Sequence, residues 1–444
     1  MFWTRRLFMG ATAAAAANLQ AASAKLAIDG GSPVRATPLR TGHFGPLYYD
    51  NSEFQFLKEV WEARAPFRFW GLRRDVAPNK VADFEKEFAR TMQTRYTLAV
   101  TSGTAALQVA LAALEVGPGD EVIVPTWTWH SCFNAVVMAG ALPVLAEIDE
   151  SFNLDPASVE KCITPRTKVL MAVHLQGNPA PMDELLAIAR KHKLRVLEDV
   201  SQSVGASYKE KQLGSLGDIG IASLQVNKTI SAGEGGAVYT NDNKLFERAI
   251  RFHDVGTVRN PHTAWLGGVT EQSFIGVNYR MNELTGAVLL AQIRKLPRIA
   301  QDMRAVAKRV YDGIADLPNL ELRKLPDPAG ELGSAVFLGF PDKARRDRFQ
   351  EAMRAENVPA APPSGSVLLP LEPHIIAKRA THPNWPTWNS PEGRAVKYGP
   401  ESCPQTIRVL NRFSGVSLDP KLTEAETRDV VAAIRKVYPA VMGV

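Results

Sequence analysis

Three features of this 444-residue sequence predict an α/β fold: a mostly parallel sheet flanked by helices, with a smaller α+β C-terminal domain. Short apolar runs bounded by turn residues read as strands buried on both faces. Ala- and Leu-rich segments at helical spacing lie between them, the pattern of βαβ units. From roughly Arg298 onward that alternation gives way to two apolar runs, a charged helix and a long final helix. With 45% hydrophobic and 22% charged residues, the chain can bury a large core and fill two domains, residues 25–297 and 298–444.

A helix over residues 81–91 leads into a strand at 96–100 and a helix from Ala105. Strand 121–124, a helix through Val136, and strands 143–147 and 168–173 come next. Helix 183–192 and strands 194–197, 219–224 and 236–240 complete the large domain. In the C-terminal part, strands are expected at 320–325 and 334–340 and a helix at 344–355. The last helix opens on Thr423-x-x-Glu426, a capping box, with Leu422 placed to staple it. Val430, Ile434 and Val437 then recur at helical spacing as a core-facing stripe. Ligands bind such sheets beyond the carboxyl ends of the strands, where Ser102, Trp129, Asp199 and Ser223 all fall.

Asp199 follows one apolar run and precedes Lys228 by 29 positions; Lys228 follows a second run and enters the turn SAGEGG. Taken singly, an Asp at a strand end caps the next element and a Lys is a solvated surface charge. Together they suit one cofactor. Pyridoxal phosphate needs an amine to hold its aldehyde and a carboxylate to keep its ring nitrogen protonated. Upstream, AVTSGTAALQVALAAL reads as a strand, a Ser102-Gly103-Thr104 turn and a helix. Free N–H groups, a small Gly and two hydroxyls make a phosphate seat, and the same fragment serves equally as an ordinary capped strand-turn-helix. In IVPTWTWHSCFNAV a strand ends at Pro125 and a Trp-rich segment opens a helix. Trp offers the largest flat face for a planar ring, yet Trp127 and Trp129 both also suit a core, and spacing alone does not choose between them.

Phosphate turn, stacking aromatic, EDxxQ, the Ser after GDIG, Lys before GEGG and GVNYRMNELTGAVLLAQI together resemble the DegT/StrS family of sugar and cyclitol aminotransferases, pyridoxal phosphate enzymes of fold type I. The resemblance runs from LAIDGGSPVR to LTEAETRDVVAAIRKV, nearly the whole chain after residue 24. It implies that Lys228 forms the internal aldimine and moves protons, that Asp199 pairs with the pyridine nitrogen, and that Gln202 bonds near the ring oxygen. By the same resemblance Trp129 stacks on the ring, and Gly103, Thr104 and Ser223 hold the phosphate. Asn278 would reach the phosphate of a neighbouring subunit, so a homodimer is expected. The donor would be glutamate or glutamine and the acceptor a keto-sugar or keto-cyclitol, with LAIDGGSPVR similar to the opening of the cyclitol-directed branch. Ser201 departs from the small apolar residue common there, without consequence for the chemistry. A related dehydratase branch has His where Lys228 stands, and a non-catalytic member would have lost Lys228 or Asp199.

Other function classes find less support. The net charge of +6 falls to +4 without Arg5 and Arg6, and no aromatic-interleaved basic stripe accompanies it, so nucleic acid is not an expected partner. No run of eighteen apolar residues offers a stable membrane span. Cys132, Cys162 and Cys403 have no metal-ligand spacing, and Cys132 reads as a small buried hydrophobe three residues after Trp129. Asn227-Lys228-Thr229 matches a glycosylation acceptor, but a glycan there would block the amine.

The segment MFWTRRLFMGATAAAAANLQAASA places twin arginines before a Phe, an Ala-rich stretch and an Ala22-Ser23-Ala24 end. Residues 1–24 therefore read as a twin-arginine export signal cleaved before Lys25, with an Ala-rich helix or tail as the plain alternative. That predicts a periplasmic or extracytoplasmic protein, where the family is usually cytoplasmic. Two irregular stretches, 255–276 and 381–394, are expected to surround the acceptor site. Trp385 and Trp388 in the second either stack on a sugar ring or plug the space beneath a loop.

Overall fold

Seven strands build the central sheet: β1 (Tyr96–Val100), β2 (Glu121–Pro125), β3 (Leu142–Ala146), β4 (Thr167–Val173), β5 (Arg195–Asp199), β6 (Ile219–Ser223) and β7 (Gly236–Thr240). The computed structural model describes residues 25–41, 44–70, 77–260 and 262–444, so the expected export signal lies outside the described residues. The strand order is β1-β7-β6-β5-β4-β2-β3. Neighbours from β6 through β3 run parallel, whereas β7 runs antiparallel to both β1 and β6.

Side chains alternate across this sheet and feed two cores. On one face Val122, Val124, Leu197, Ile219 and Ile221 meet helices α3 (Gly103–Ala113), α4 (His130–Met138) and α6 (Asn243–His253). On the other, Ala99, Ile123, Leu170, Val196 and Ala222 meet α2 (Lys80–Thr91), α5 (Met182–His192) and α7 (Glu283–Ile314). Both faces are covered, which is why the strands read as unbroken apolar runs.

A third core holds the C-terminal part. The two-stranded ladder of β8 (Ala335–Gly339) and β9 (Phe413–Ser417) packs with α8 (Lys343–Ala355) and α9 (Glu424–Met442). Val430, Ile434 and Val437 are all buried there, and Thr423 and Glu426 close the expected capping box with bonds of 3.2 and 3.0 Å. Leu26 and Leu39 join this core, so the described N-terminal stretch packs with the C-terminal elements. Helix α7 runs unbroken through residues 297 and 298, with Pro297 inside it.

The strand expected at 320–325 is corrected to a single bridge between Leu322 and Leu338. Arg323 N–H still reaches Phe337 O at 3.1 Å, but Lys324 N–H turns away to Glu150 O at 3.2 Å, and the chain peels from β8. Among the described residues, no helix is long and apolar enough to cross a membrane.

Candidate active site

The carboxyl ends of β5 and β6 and the start of α3 converge on one region. Asp199 closes β5, paired in register with Val173 on one side and Ile221 on the other, and is buried. Its Oδ1 accepts from Ser201 N–H at 2.9 Å and its Oδ2 accepts from Cys132 Sγ at 3.2 Å. Lys228 lies in the turn after β6, and among the described residues its Nζ has no hydrogen bond or ion pair. Burial pushes the Lys228 amine below its ordinary value, opposed by the Asp199 charge nearby. A half-buried amine with no partner among the described residues, beside a carboxylate, is poised to react with a carbonyl.

The lysine turn is itself clamped. Lys228 N–H bonds to Gln225 O at 2.9 Å, and Gly45 N–H bonds to Lys228 O at 3.3 Å. Tyr49 Oη donates to Ser231 O at 2.8 Å, so residues 45–49 lie against the turn from outside.

At the start of α3, Ser102 Oγ accepts from Ala105 N–H at 3.1 Å as the N-cap. Thr104 and Ser131 hydroxyls are 2.7 Å apart, which brings α4 to the same place. Gly103 presses on β6: a Cβ there would sit 2.6 Å from Ser223 Cβ. Gly236, the first residue of β7, is as tight, since its Cβ would lie 2.3 Å from Ser102 O. The result is a helix N-terminus ringed by the hydroxyls of Thr104, Ser131 and Ser223, suited to an anion.

Trp129 is the N-cap of α4 and 53% exposed, whereas Trp127 is buried against Phe152. Of the two, only Trp129 has a face to offer a ligand. Gln202 bonds elsewhere: its Nε2 donates to Gly365 O and Ser366 Oγ, each at 3.1 Å, and its Oε1 accepts from Gln176 N–H at 3.2 Å. That strap of residues 364–366 continues into Val367–Leu368, which pairs with Trp127–Thr128. Asn278 is exposed and bridges Asp254, joined by no hydrogen bond to the other seven candidates among the described residues. Its chain neighbour Tyr279 accepts Thr101 N–H at 3.1 Å, just before the phosphate turn.

Sequence reasoning missed three contributors. Ser131 shares the helix start, and Cys132, read as a buried hydrophobe, touches Asp199. Glu198, the first acid of EDxxQ, accepts N–H bonds from Gly214, Leu216 and Gly217 at 2.6–2.8 Å and faces His174 at 3.1 Å. A buried acid inside an apolar strand was the available signal. Trp385 and Trp388 resolve as plugs. Trp388 is buried against Phe133, and Trp385 Nε1 donates to Val137 O at 2.6 Å beneath the far end of α4. In the stretch 255–276, His262–Leu266 forms a short helix anchored by buried His262.

The amine, carboxylate, aromatic face and anion seat fit pyridoxal phosphate group by group. The family model described as DegT/DnrJ/EryC1/StrS aminotransferase matches residues 76–363. GDP-perosamine synthase of Caulobacter vibrioides is 42% identical over 217 residues, 49% of this chain and 57% of that protein, so the match spans little more than half of that relative. Spore coat polysaccharide biosynthesis protein SpsC of Bacillus subtilis is 30% identical over 81% of this chain and 89% of its own length. The solved structure of 3-amino-5-hydroxybenzoic acid synthase has a TM-score of 0.73 and 26% identity, covering 91% of this chain and all of that one. Motifs, sheet order and matches agree, and the chain belongs to the DegT/DnrJ/EryC1/StrS aminotransferase family.

Proposed function

We propose that this chain is a pyridoxal phosphate-dependent aminotransferase that moves an amino group from glutamate or glutamine to the ketone of a sugar or cyclitol. The observation that carries the reading is the half-buried Lys228 amine, without a partner among the described residues and depressed by desolvation beside Asp199. Pyridoxal phosphate, when bound, supplies an aldehyde for the amine and a ring that draws in electrons. Lys228 Nζ, neutral more readily than a surface lysine, takes and returns the substrate proton. Asp199 holds the proton of the ring nitrogen. Trp129 orients the ring, while Gly103, Thr104 and Ser223, with Ser131, hold the phosphate. Gln202 is placed to exchange its strap bonds for one near the ring oxygen. Relatives named for GDP-perosamine and for spore coat polysaccharide support a sugar acceptor.

The active unit in this reading is a homodimer, in which Asn278 reaches the phosphate bound to a second copy. Its exposure supports that role, and sedimentation at micromolar concentration tests the dimer. Residues 1–24 act as a twin-arginine export signal, which suits an enzyme that folds around its cofactor before transport.

The deciding experiment is a half-reaction screen. The loaded protein is bleached by candidate amino donors, and candidate ketones are tested for restoring the original visible band. Glutamate or glutamine should bleach it and a keto-sugar or keto-cyclitol should restore it. A protein inert to every donor would refute the assignment.

A further inference from the structure

Cys132 sits in the first turn of α4, 2% exposed, with its Sγ 3.2 Å from Asp199 Oδ2 and 3.3 Å from Thr128 Oγ1. A thiol has one proton to give. If it goes to the carboxylate, Thr128 must donate to sulfur, and the chain Thr128 O–H, Cys132 S–H, Asp199 Oδ2 has a single direction. Burial, with the Asp199 charge beside it, pushes the Cys132 thiol well above its ordinary value, so the proton stays on sulfur. Pure packing would need none of these alignments; a Val or an Ala fills a small apolar gap as well.

We propose that Cys132 is a positioning residue, whose thiol fixes the plane of the Asp199 carboxylate for the ring nitrogen of the cofactor. The proposal rests on the pyridoxal phosphate reading above. An Asp side chain rotates broadly about its last torsion, with wells roughly two-fold related. Ser201 N–H pins Oδ1 from the same strand end, and the thiol pins Oδ2 from a different element. With one donor on each oxygen the plane is set, and the remaining lone pairs are left for the ring. Sulfur is a weak donor, so it directs the carboxylate while drawing little charge from it. The same turn carries Trp129, whose carbonyl accepts Cys132 N–H at 3.1 Å. One rigid helix start therefore sets both the stacking face and the ring-nitrogen partner.

Two readouts separate positioning from packing. In cofactor-free protein, an infrared S–H stretch that disappears in Cys132→Ala should move towards the free-thiol position in Asp199→Asn. In protein loaded with pyridoxal phosphate, the pH midpoint of the visible band should shift by roughly half a unit or more in Cys132→Ala, as expected when a carboxylate partner is re-aimed. Cys132→Ser, which keeps a donor, should restore most of that shift. Should Cys132→Ala fail to fold, Thr128→Val leaves the thiol in place and should move the midpoint the same way by less. A wild-type protein that takes up no pyridoxal phosphate would bring down the cofactor reading itself. An S–H band indifferent to Asp199→Asn, or variants titrating with the wild type, would overturn this proposal alone.

Discussion

Half-burying the Lys228 amine beside Asp199 places two opposed demands on one residue. The depressed proton affinity that readies the amine also penalises folding, because the unfolded chain holds a proton that the folded chain sheds more easily. That penalty is fully present below the folded pKa and fades as pH rises towards the ordinary value of 10.5. Cofactor-free Lys228→Met should therefore be more stable than wild type at pH 7, with the gap closing as pH approaches 10.5; chemical denaturation across that range checks it. Lys228→Ala should fold and show no transamination, since both the tether and the proton carrier are gone, and wild-type-like turnover would refute the assignment. For Asp199→Asn we expect a barrier higher by about 3 kcal/mol, the scale of other electrostatic stabilisers. A fall in turnover of less than about tenfold would mean that another residue pairs with the ring nitrogen.

At the scale of elements, the anion seat depends on how closely α3 approaches the sheet. Gly103 has no room for a side chain, because a Cβ would come within 2.6 Å of Ser223 Cβ and 3.0 Å of its Oγ. Gly103→Ala should displace Ser223, cost about 1–3 kcal/mol of stability, and weaken cofactor retention on dialysis with little change in far-UV circular dichroism. Unchanged retention would remove Ser223 from the seat. Much of this was legible in the sequence, because buried strands and a capped helix start are local signals that packing reinforces: β7 falls at the expected residues and α9 keeps its capping box. Contacts between distant segments were not legible. Nothing local in TWTWHSC says that Cys132 faces Asp199, and nothing near Gln202 reveals the strap at 364–366. Trp385 and Trp388 stayed ambiguous for the same reason, since a Trp that plugs a gap and one that binds a sugar have the same composition.

For the whole molecule, the testable expectation is where it goes. If Arg5 and Arg6 form the twin-arginine pair, the mature chain should start at or near Lys25 and collect outside the cytoplasm. Lys-Lys in their place keeps the bulk charge but loses the guanidinium pair, and should trap an active protein inside. Fractionation with N-terminal sequencing decides it; full-length active enzyme confined to the cytoplasm of wild-type cells would overturn export and leave the chemistry untouched. Lys25 itself lies just ahead of Leu26, which is buried in the C-terminal core. The first residues of such a mature chain are thus folded into the C-terminal core, with Ala27 N–H donating to Glu356 Oε1 at 2.9 Å.

The antiparallel strand β7 has a consequence for the order in which the protein matures. Among the described residues β1, which feeds the anion seat, is laddered only to β7, apart from a single bridge from Val100 to Arg280, so residues 96–100 must wait for residues 236–240. Closing so long a loop is slow relative to forming neighbouring βαβ units, and its entropy must be met before the contact rewards it. During synthesis Lys228 emerges before β7 does, with Ser102 and Gly103 already made but without the strand that braces them. On the pyridoxal phosphate reading, cofactor capture then waits for β7, and a chain holding the cofactor has already closed the longest-range ladder of its central sheet. Possession of the cofactor would then mark that this one ladder has closed.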